Sequence, residues 1–311
     1  MKKLATTALF LGLSGIFGCA PDFDPTSRVV SFRVLAQQTD PPIARPGETV
    51  HLSSLSYDPE GRSVNWAWAA CVNPAASTVD GCLDQVAADA QASGSSPILA
   101  QGPELSEFSY TIPSDALDSL PTGARSTAFV GILSIACPGD LGFLANANGL
   151  PFTCTERDTG RAFALDEYIV GLKRIAVRNT DRNQNPVIEQ VTFDGADWPE
   201  DEVKQVTACD TAKNDYKPCA ASTKHRVAAR PSAASSESGS NEFGVPFSEE
   251  VIIEYYATEG VFEYELKIAA DPETGWAARK SAAGKDLTLW MVVHDDRGGA
   301  SWVQRQVHVQ E

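Results

Sequence analysis

Ser56-Tyr-Asp-Pro-Glu-Gly-Arg-Ser-Val-Asn-Trp-Ala-Trp-Ala-Ala-Cys71 is the stretch from which the fold is read. Asp58-Pro59-Glu60-Gly61 has turn chemistry: proline pre-sets φ, an aspartate side chain bonds back to nearby amides, and glycine accepts positive φ. Val64, Trp66 and Trp68 then fall at alternate positions. That spacing places them on one face of an extended strand, so two indoles enter the same layer before Cys71 closes the segment.

The same period of two recurs on both sides. Upstream, Val30, Phe32, Val34 and Ala36 share one parity, Pro41, Pro42 and Pro46-Gly47 interrupt it, and Val50 and Leu52 begin a second strand. Downstream, Val72 to Gly102 is rich in alanine, serine and glycine and reads as a loop with a short helix over Leu83 to Gln91. Phe108, Tyr110 and Ile112 alternate again. Ser114 to Leu120 lies between two prolines and suits one helical turn with Ser114 as its N-cap. Ala128 to Ala136 is apolar on both parities, as expected of a central strand covered on both faces. Tyr168, Val170 and Leu172 alternate in one phase and Ile175 and Val177 in the other, which predicts a bulge near Gly171. About seven short strands with frequent turn signals imply a β-sandwich.

Asn179 to Pro186, NTDRNQNP, is polar and brief and reads as a linker at 179–186 between two units, 28–178 and 187–311. In the second unit, Val187, Val191 and Phe193 resume the alternation. Arg226 to Ser240 contains SAASSESGS, and a stretch at about 226–246 is expected to be a flexible loop. Val251 to Tyr256 leads through Thr258-Glu259-Gly260 to Phe262, Tyr264, Leu266 and Ile268, with Glu263, Glu265 and Lys267 towards water, which predicts a hairpin. Leu287 to Val293 and Val303 to Val309 flank the turn Asp295-Asp296-Arg297-Gly298-Gly299.

SYDPEG before a tryptophan strand, and HDDRGGASW before alternating valines, resemble segments of bacterial Ig-like domains of the polycystic-kidney-disease or cadherin type. The resemblance implies an all-β chain of two tandem antiparallel Ig-like β-sandwiches. Asp181-x-Asn183-x-Asn185-Pro186 looks like the inter-domain linker of cadherins, which directs alternating oxygens at calcium. The candidate calcium ligands are therefore Asp181, Asn183 and Asn185, with Asp58, Glu60, Asp295 and Asp296 available from turns, since a hard divalent ion needs six to eight oxygens. Gln184 stands where the family carries a second aspartate. Plain Asx-rich turns are the competing reading.

The N-terminus, MKKLATTALFLGLSGIFGCA, has two lysines and then an uncharged run from Leu4 to Phe17. As a helix that run is about 21 Å long, short of the roughly 30 Å of a membrane span. Ile16-Phe17-Gly18-Cys19 resembles the lipobox of a bacterial lipoprotein, with Phe17 bulkier than usual there. The resemblance implies a cleaved signal peptide at 1–18, acylation of Cys19, and a lipid-anchored spacer at 19–27. Ala20 after the cysteine favours the outer membrane over the inner one in that family.

The 311 residues carry seven cysteines and a net charge of −16, which becomes −18 without Lys2 and Lys3. Such a chain is a poor nucleic-acid ligand. Besides Cys19, the cysteines fall into three near pairs, Cys71 with Cys82, Cys137 with Cys154 and Cys209 with Cys219, as expected of disulfides in an exported protein. No pair has Cys-x-x-Cys spacing, and the four histidines do not cluster, so no thiolate metal centre is expected. Gly-x-Ser-x-Gly, phosphate-loop and His-Glu-x-x-His motifs are absent. The loop Pro138 to Thr153 carries Leu141, Phe143, Leu144, Leu150 and Phe152 and is a candidate partner-binding loop. Folding back onto the sandwich is the other reading of those side chains. The function expected is a non-enzymatic, lipid-anchored envelope scaffold for a protein or glycan partner. An envelope hydrolase with a spatially assembled site and a purely structural assembly subunit are the alternatives.

Overall fold

In the computed structural model, residues 24–118, 120–143, 152–210 and 214–311 are described. The expected signal segment 1–18 and the acylation candidate Cys19 lie outside them. The first half contains β1 Arg33–Asp40, β2 Ile43–Ala44, β3 Thr49–Tyr57, β4 Asn65–Val72, α1 Val79–Ser93, β5 Ala100–Pro103 and β6 Glu107–Thr111. It continues with β7 Phe129–Cys137, β8 Asp140–Phe143, β9 Phe152–Thr155 and β10 Ile169–Val177. A three-stranded sheet, β1-β3-β6, packs on a five-stranded sheet, β2-β10-β7-β4-β5. Their shared core holds Val50, Leu52, Trp66, Trp68, Ile112, Ile132 and Ile175. The two indoles stack with centroids 5.7 Å apart, and Trp68 Nε1 donates to Leu105 O at 3.0 Å. Alternation around Trp66 therefore reports a face directed into an apolar layer.

The outer face of the five-stranded sheet is covered too, which is why β7 is apolar on both parities. Helix α1 lies there, its Cys82 bonded to Cys71 and its Val86 packed with Leu133. It is longer than the expected 83–91, because Thr78 caps its start by accepting from Gly81 N at 3.1 Å and Gly94 ends it at φ 66°. Ser114 to Asp118 forms tight turns and not a helical turn capped by Ser114. No bulge occurs at Gly171, since β10 pairs with β7 without a break from Ile169 to Ala176. Val170 and Leu172 cover the outer face while Ile175 and Val177 enter the core, so both phases are used by one regular strand. Gly171 answers a close approach instead: a Cβ there would lie 2.8 Å from Ser134 Oγ.

The second half contains β11 Ile188–Phe193, β12 Ala196–Asp197, β13 Val203–Thr207, β14 His225–Pro231, β15 Ser238–Ser240 and β16 Pro246–Ser248. It ends with β17 Val251–Ala257, β18 Val261–Phe262, β19 Leu266–Ile268, β20 Thr274–Ala277, β21 Asp286–Asp295 and β22 Ala300–Gln310. Sheets β12-β11-β14-β20-β18 and β13-β22-β21-β17-β19 enclose a core with Trp198, Ile253, Tyr255, Trp276, Leu289 and Met291. The chain is thus all-β in sandwich form, and its two halves repeat one strand order. The pairing is antiparallel apart from one edge in each half: β2 runs parallel to β10 and β13 parallel to β22.

Two further expectations change. Arg226 to Pro231 is strand β14 rather than flexible loop, with Val227, Ala228 and Ala229 fully buried, and the serine-rich stretch continues into the β15–β16 hairpin. Small side chains gave it a weak strand signal although neighbouring strands bury it. The alternation from Phe262 to Ile268 does not describe one strand. Phe262 belongs to β18 in one sheet, whereas β19 lies at the edge of the other with Leu266 and Ile268 exposed.

The segment ahead of β1 is more than a spacer. Ser27 O accepts from Ala257 N at 2.8 Å and Val29 N donates to Ala257 O at 2.9 Å, so it docks on the second sandwich. Val29 and Leu35 bury Trp290, and Tyr57 meets that indole at 4.9 Å between centroids.

Candidate functional site

The two sandwiches meet where the run 179–186 passes the β21–β22 turn. Asp181 accepts from Arg297 Nη2 at 2.8 Å, and Arg297 Nη1 donates to Glu249 Oε1 at 2.9 Å. The same guanidinium donates to Arg182 O and lies 3.9 Å from the centre of the Phe247 ring. Asn183 Nδ2 donates to both Asp295 oxygens, at 3.2 and 3.1 Å. Asn185 spans both units, donating to Thr39 O and accepting from Ala300 N, each at 2.9 Å. Burial, then the charge of Asp295, pushes the Glu249 carboxyl above its ordinary value in spite of Arg297.

Asp181, Asn183, Asn185 and Asp295 therefore do come together, but as a hydrogen-bonded clamp. Amide and guanidinium donors occupy their oxygens, and Arg297 is the cation between them. Asp58 binds Arg62 Nε at 2.7 Å and caps its own turn, Glu60 lies with it, and Asp296 lines the neighbouring cleft. Among the described residues, no three or more His, Cys, Asp or Glu side chains are placed to hold a metal.

Beside the clamp opens a cleft of about 900 Å³. Leu172, Lys173, Arg174, Ala176 and Arg178 of β10 and the stretch beyond it form one wall, Asn73 and Ser77 another, and Phe247 and Gly298 the side facing the second sandwich. Lys173 Nζ reaches across to Gly298 O at 2.9 Å and also donates to Gln37 O at 3.1 Å. Burial pulls its ammonium down to about 8 against the opposing charge of Asp295. Burial likewise lowers Arg178, which donates to Ala128 O, Val177 O and Ser126 O. This cationic group was missed in the sequence, although Leu-Lys-Arg-Ile-Ala-Val-Arg at 172–178 shows three cations within one apolar strand.

The candidate partner loop divides. Strands β8 and β9 form a hairpin tied by Cys137–Cys154. Phe152 is buried and meets Tyr168 edge to face at 6.1 Å, and Leu141 packs on the same cluster. Phe152 is thus enclosed in that cluster, and Leu141 is partly buried against it. Leu144, Leu150 and the side chain of Phe143 lie outside the described residues. The histidines are paired separately: His51 Nδ1 with Ser109 Oγ at 2.8 Å, His225 Nδ1 with Asp194 at 2.8 Å, and His308 Nδ1 with Asp286 at 2.7 Å.

No family model matches the sequence, and no curated protein matches it. Among the solved structures that match, two illustrate how slight the likeness is. One is the apo structure of Bacteroides uniformis beta-glucuronidase 3, at 10% identity and TM-score 0.20 over 86% of this chain and 24% of that one. The other is dimeric latent PorU from Porphyromonas gingivalis, at 12% identity and TM-score 0.21 over 90% of this chain and 24% of that one. This chain spans about a quarter of the length of each, and scores this low carry neither fold nor activity across.

Proposed function

We propose that the protein is a non-enzymatic, lipid-anchored component of a bacterial cell envelope, in which two clamped sandwiches serve as a binding scaffold. The observation that carries this reading is the use of the cysteines. All six beyond Cys19 are joined in the three local disulfides expected, with Cα atoms 5.4, 5.7 and 5.5 Å apart. Three such bonds suit an oxidising compartment, and they leave Cys19, in its lipobox-like context, as the one cysteine for acylation.

The docking of Ser27 to Val29 adds to the reading. Asp24 pairs with Arg28, and only four residues, Ala20 to Phe23, lie between Cys19 and Asp24, a reach of at most about 17 Å. An anchor at Cys19 then holds the end of β17 close to the lipid, with outer-membrane placement favoured by Ala20.

Intact mass of the protein from a bacterial membrane fraction tests this. The expected mass begins at Cys19, carries added acyl chains, and shows no free thiol, while Cys19→Ser leaves the protein in the soluble fraction. A mass retaining residues 1–18 with no lipid, together with free thiols, overturns it.

A further inference from the structure

We infer that the cleft between the sandwiches binds a small multivalent anion carrying carboxylate or phosphate groups, held by Lys173, Arg174 and Arg178. The inference goes beyond the scaffold reading and does not depend on the lipid.

A cationic wall is unexpected in a chain of net charge −16. None of the described ion pairs involves Lys173, Arg174 or Arg178; the charges of Asp295 on Lys173 and of Glu242 and Asp181 on Arg178 act only from farther away. Their described hydrogen bonds all go to backbone carbonyls, which take up donors without cancelling charge, and Arg178 also lies over the Phe243 ring. Lys173 uses two of its three N–H groups on Gln37 O and Gly298 O. Arg174 is exposed and makes a single 3.4 Å contact with Ser77 O. Lowered basicity at both Lys173 and Arg178 has burial as its leading cause, so the protein's own anions do not repay the desolvation of these charges.

Two carboxylates, Asp181 and Asp296, line the cleft as well, and most of the acidic groups nearby are already engaged. Asp181 and Asp295 belong to the clamp, and Glu242 accepts from Thr180 N and Asp181 N, which leaves Asp296 as the carboxylate of the cleft outside the clamp. Arg174 and Arg178 share a parity on the strand and its extension, which sets their Cα atoms about 13 Å apart. Lys173 projects to the other side, towards the junction. Charges separated in this way match a ligand with more than one anionic group better than a single ion, and guanidinium forks suit carboxylate and phosphate alike. A volume near 900 Å³ is that of a small-ligand site.

Calorimetric titration of the purified protein at low salt, with citrate and with pyrophosphate as probes, tests the inference and separates the two anion chemistries. Saturable binding of at least one probe is expected. Arg174→Ser weakens it about tenfold, as befits loss of one charge-assisted contact, and leaves the melting temperature unchanged because Arg174 is exposed. Lys173→Gln weakens it similarly, and wild-type affinity falls between pH 7 and 9 as that ammonium loses its proton among Asp295, Asp296, Asp181, Arg174 and Arg297. Lys224→Ser, on the second sandwich, binds as wild type does. The inference is overturned by the absence of saturable heat with both probes at millimolar concentration, or by an Arg174→Ser variant that binds as tightly as wild type.

Discussion

Arg297 concentrates the energetics of the junction in one side chain. It faces Asp181 and a Glu249 that is only 5% exposed, so truncation strands a buried carboxylate. Arg297→Ala is expected to cost about 3 kcal/mol in denaturant unfolding at pH 7, the scale for breaking a buried pair from one side. Arg297→Lys recovers only part, because an ammonium cannot fork to both acids. The pH dependence has a definite sign. Glu249 is raised by burial, so its contribution is fully present below the ordinary glutamate value and is lost as pH rises through the folded one. The Arg297→Ala penalty should therefore shrink at pH 4, and a penalty equal at both pH values would show that the pair is not the source. Lys173 gives the opposite test: its folded value is lowered to about 8, so the unfolded chain holds the extra proton between pH 8 and about 10.5. Wild-type stability relative to Lys173→Met should rise across that window, and parallel melting curves would refute it. Asx spacing in the sequence showed Asp181, Asn183 and Asn185, and the turn showed Asp295, but nothing local showed Glu249. Arg297 escaped notice because an arginine within Asp-Asp-Arg-Gly-Gly reads as a solvated turn residue until its partners, 116 and 48 positions away, are known.

Elements were legible where alternation and burial coincide and were missed where one occurs without the other. Trp66 and Trp68 mark β4 because both conditions hold. Strand β14 is buried, but Val-Ala-Ala carries little hydrophobic contrast. Strand β19 alternates, yet it lies at an edge with its apolar side chains in water. Helix α1 was underestimated because its alanine-rich sequence has a narrow apolar stripe, only Cys82 and Val86 being buried. Its attachment consequently leans on the Cys71–Cys82 bond. Replacing both cysteines by alanine should cost about 3 kcal/mol on the chain-entropy scale for a loop of this length. Amide exchange should accelerate over Val79–Ser93 well before the β4 and β7 amides are affected. Uniform acceleration through the whole first sandwich would mean that the helix is integral to that core.

The arrangement of the whole molecule is held by pairs that no local pattern reveals. Tyr57 against Trp290, Lys173 with Gly298 and Asn183 with Asp295 join residues more than one hundred positions apart. The polar run 179–186 was readable as a boundary, but it was not readable that Asn183 and Asn185 spend their amides on a carboxylate of one half and a backbone carbonyl of the other. Gly299 is where this arrangement is least tolerant. A Cβ there would lie 2.3 Å from Asp295 Oδ2 and 2.9 Å from Gln184 O, and the second contact is with backbone that cannot swing aside. Because the collision falls between the linker and the turn, and neither sandwich core contains Gly299, Gly299→Ala should separate the halves before it unfolds either one. Solution X-ray scattering is expected to show a larger radius of gyration for the variant, with the near-ultraviolet signal of the buried tryptophans in both sandwiches retained. If the radius stays at the wild-type value while stability is unchanged, the clamp does not set the relative position of the two sandwiches, and the cleft beside it has no fixed shape to offer a ligand.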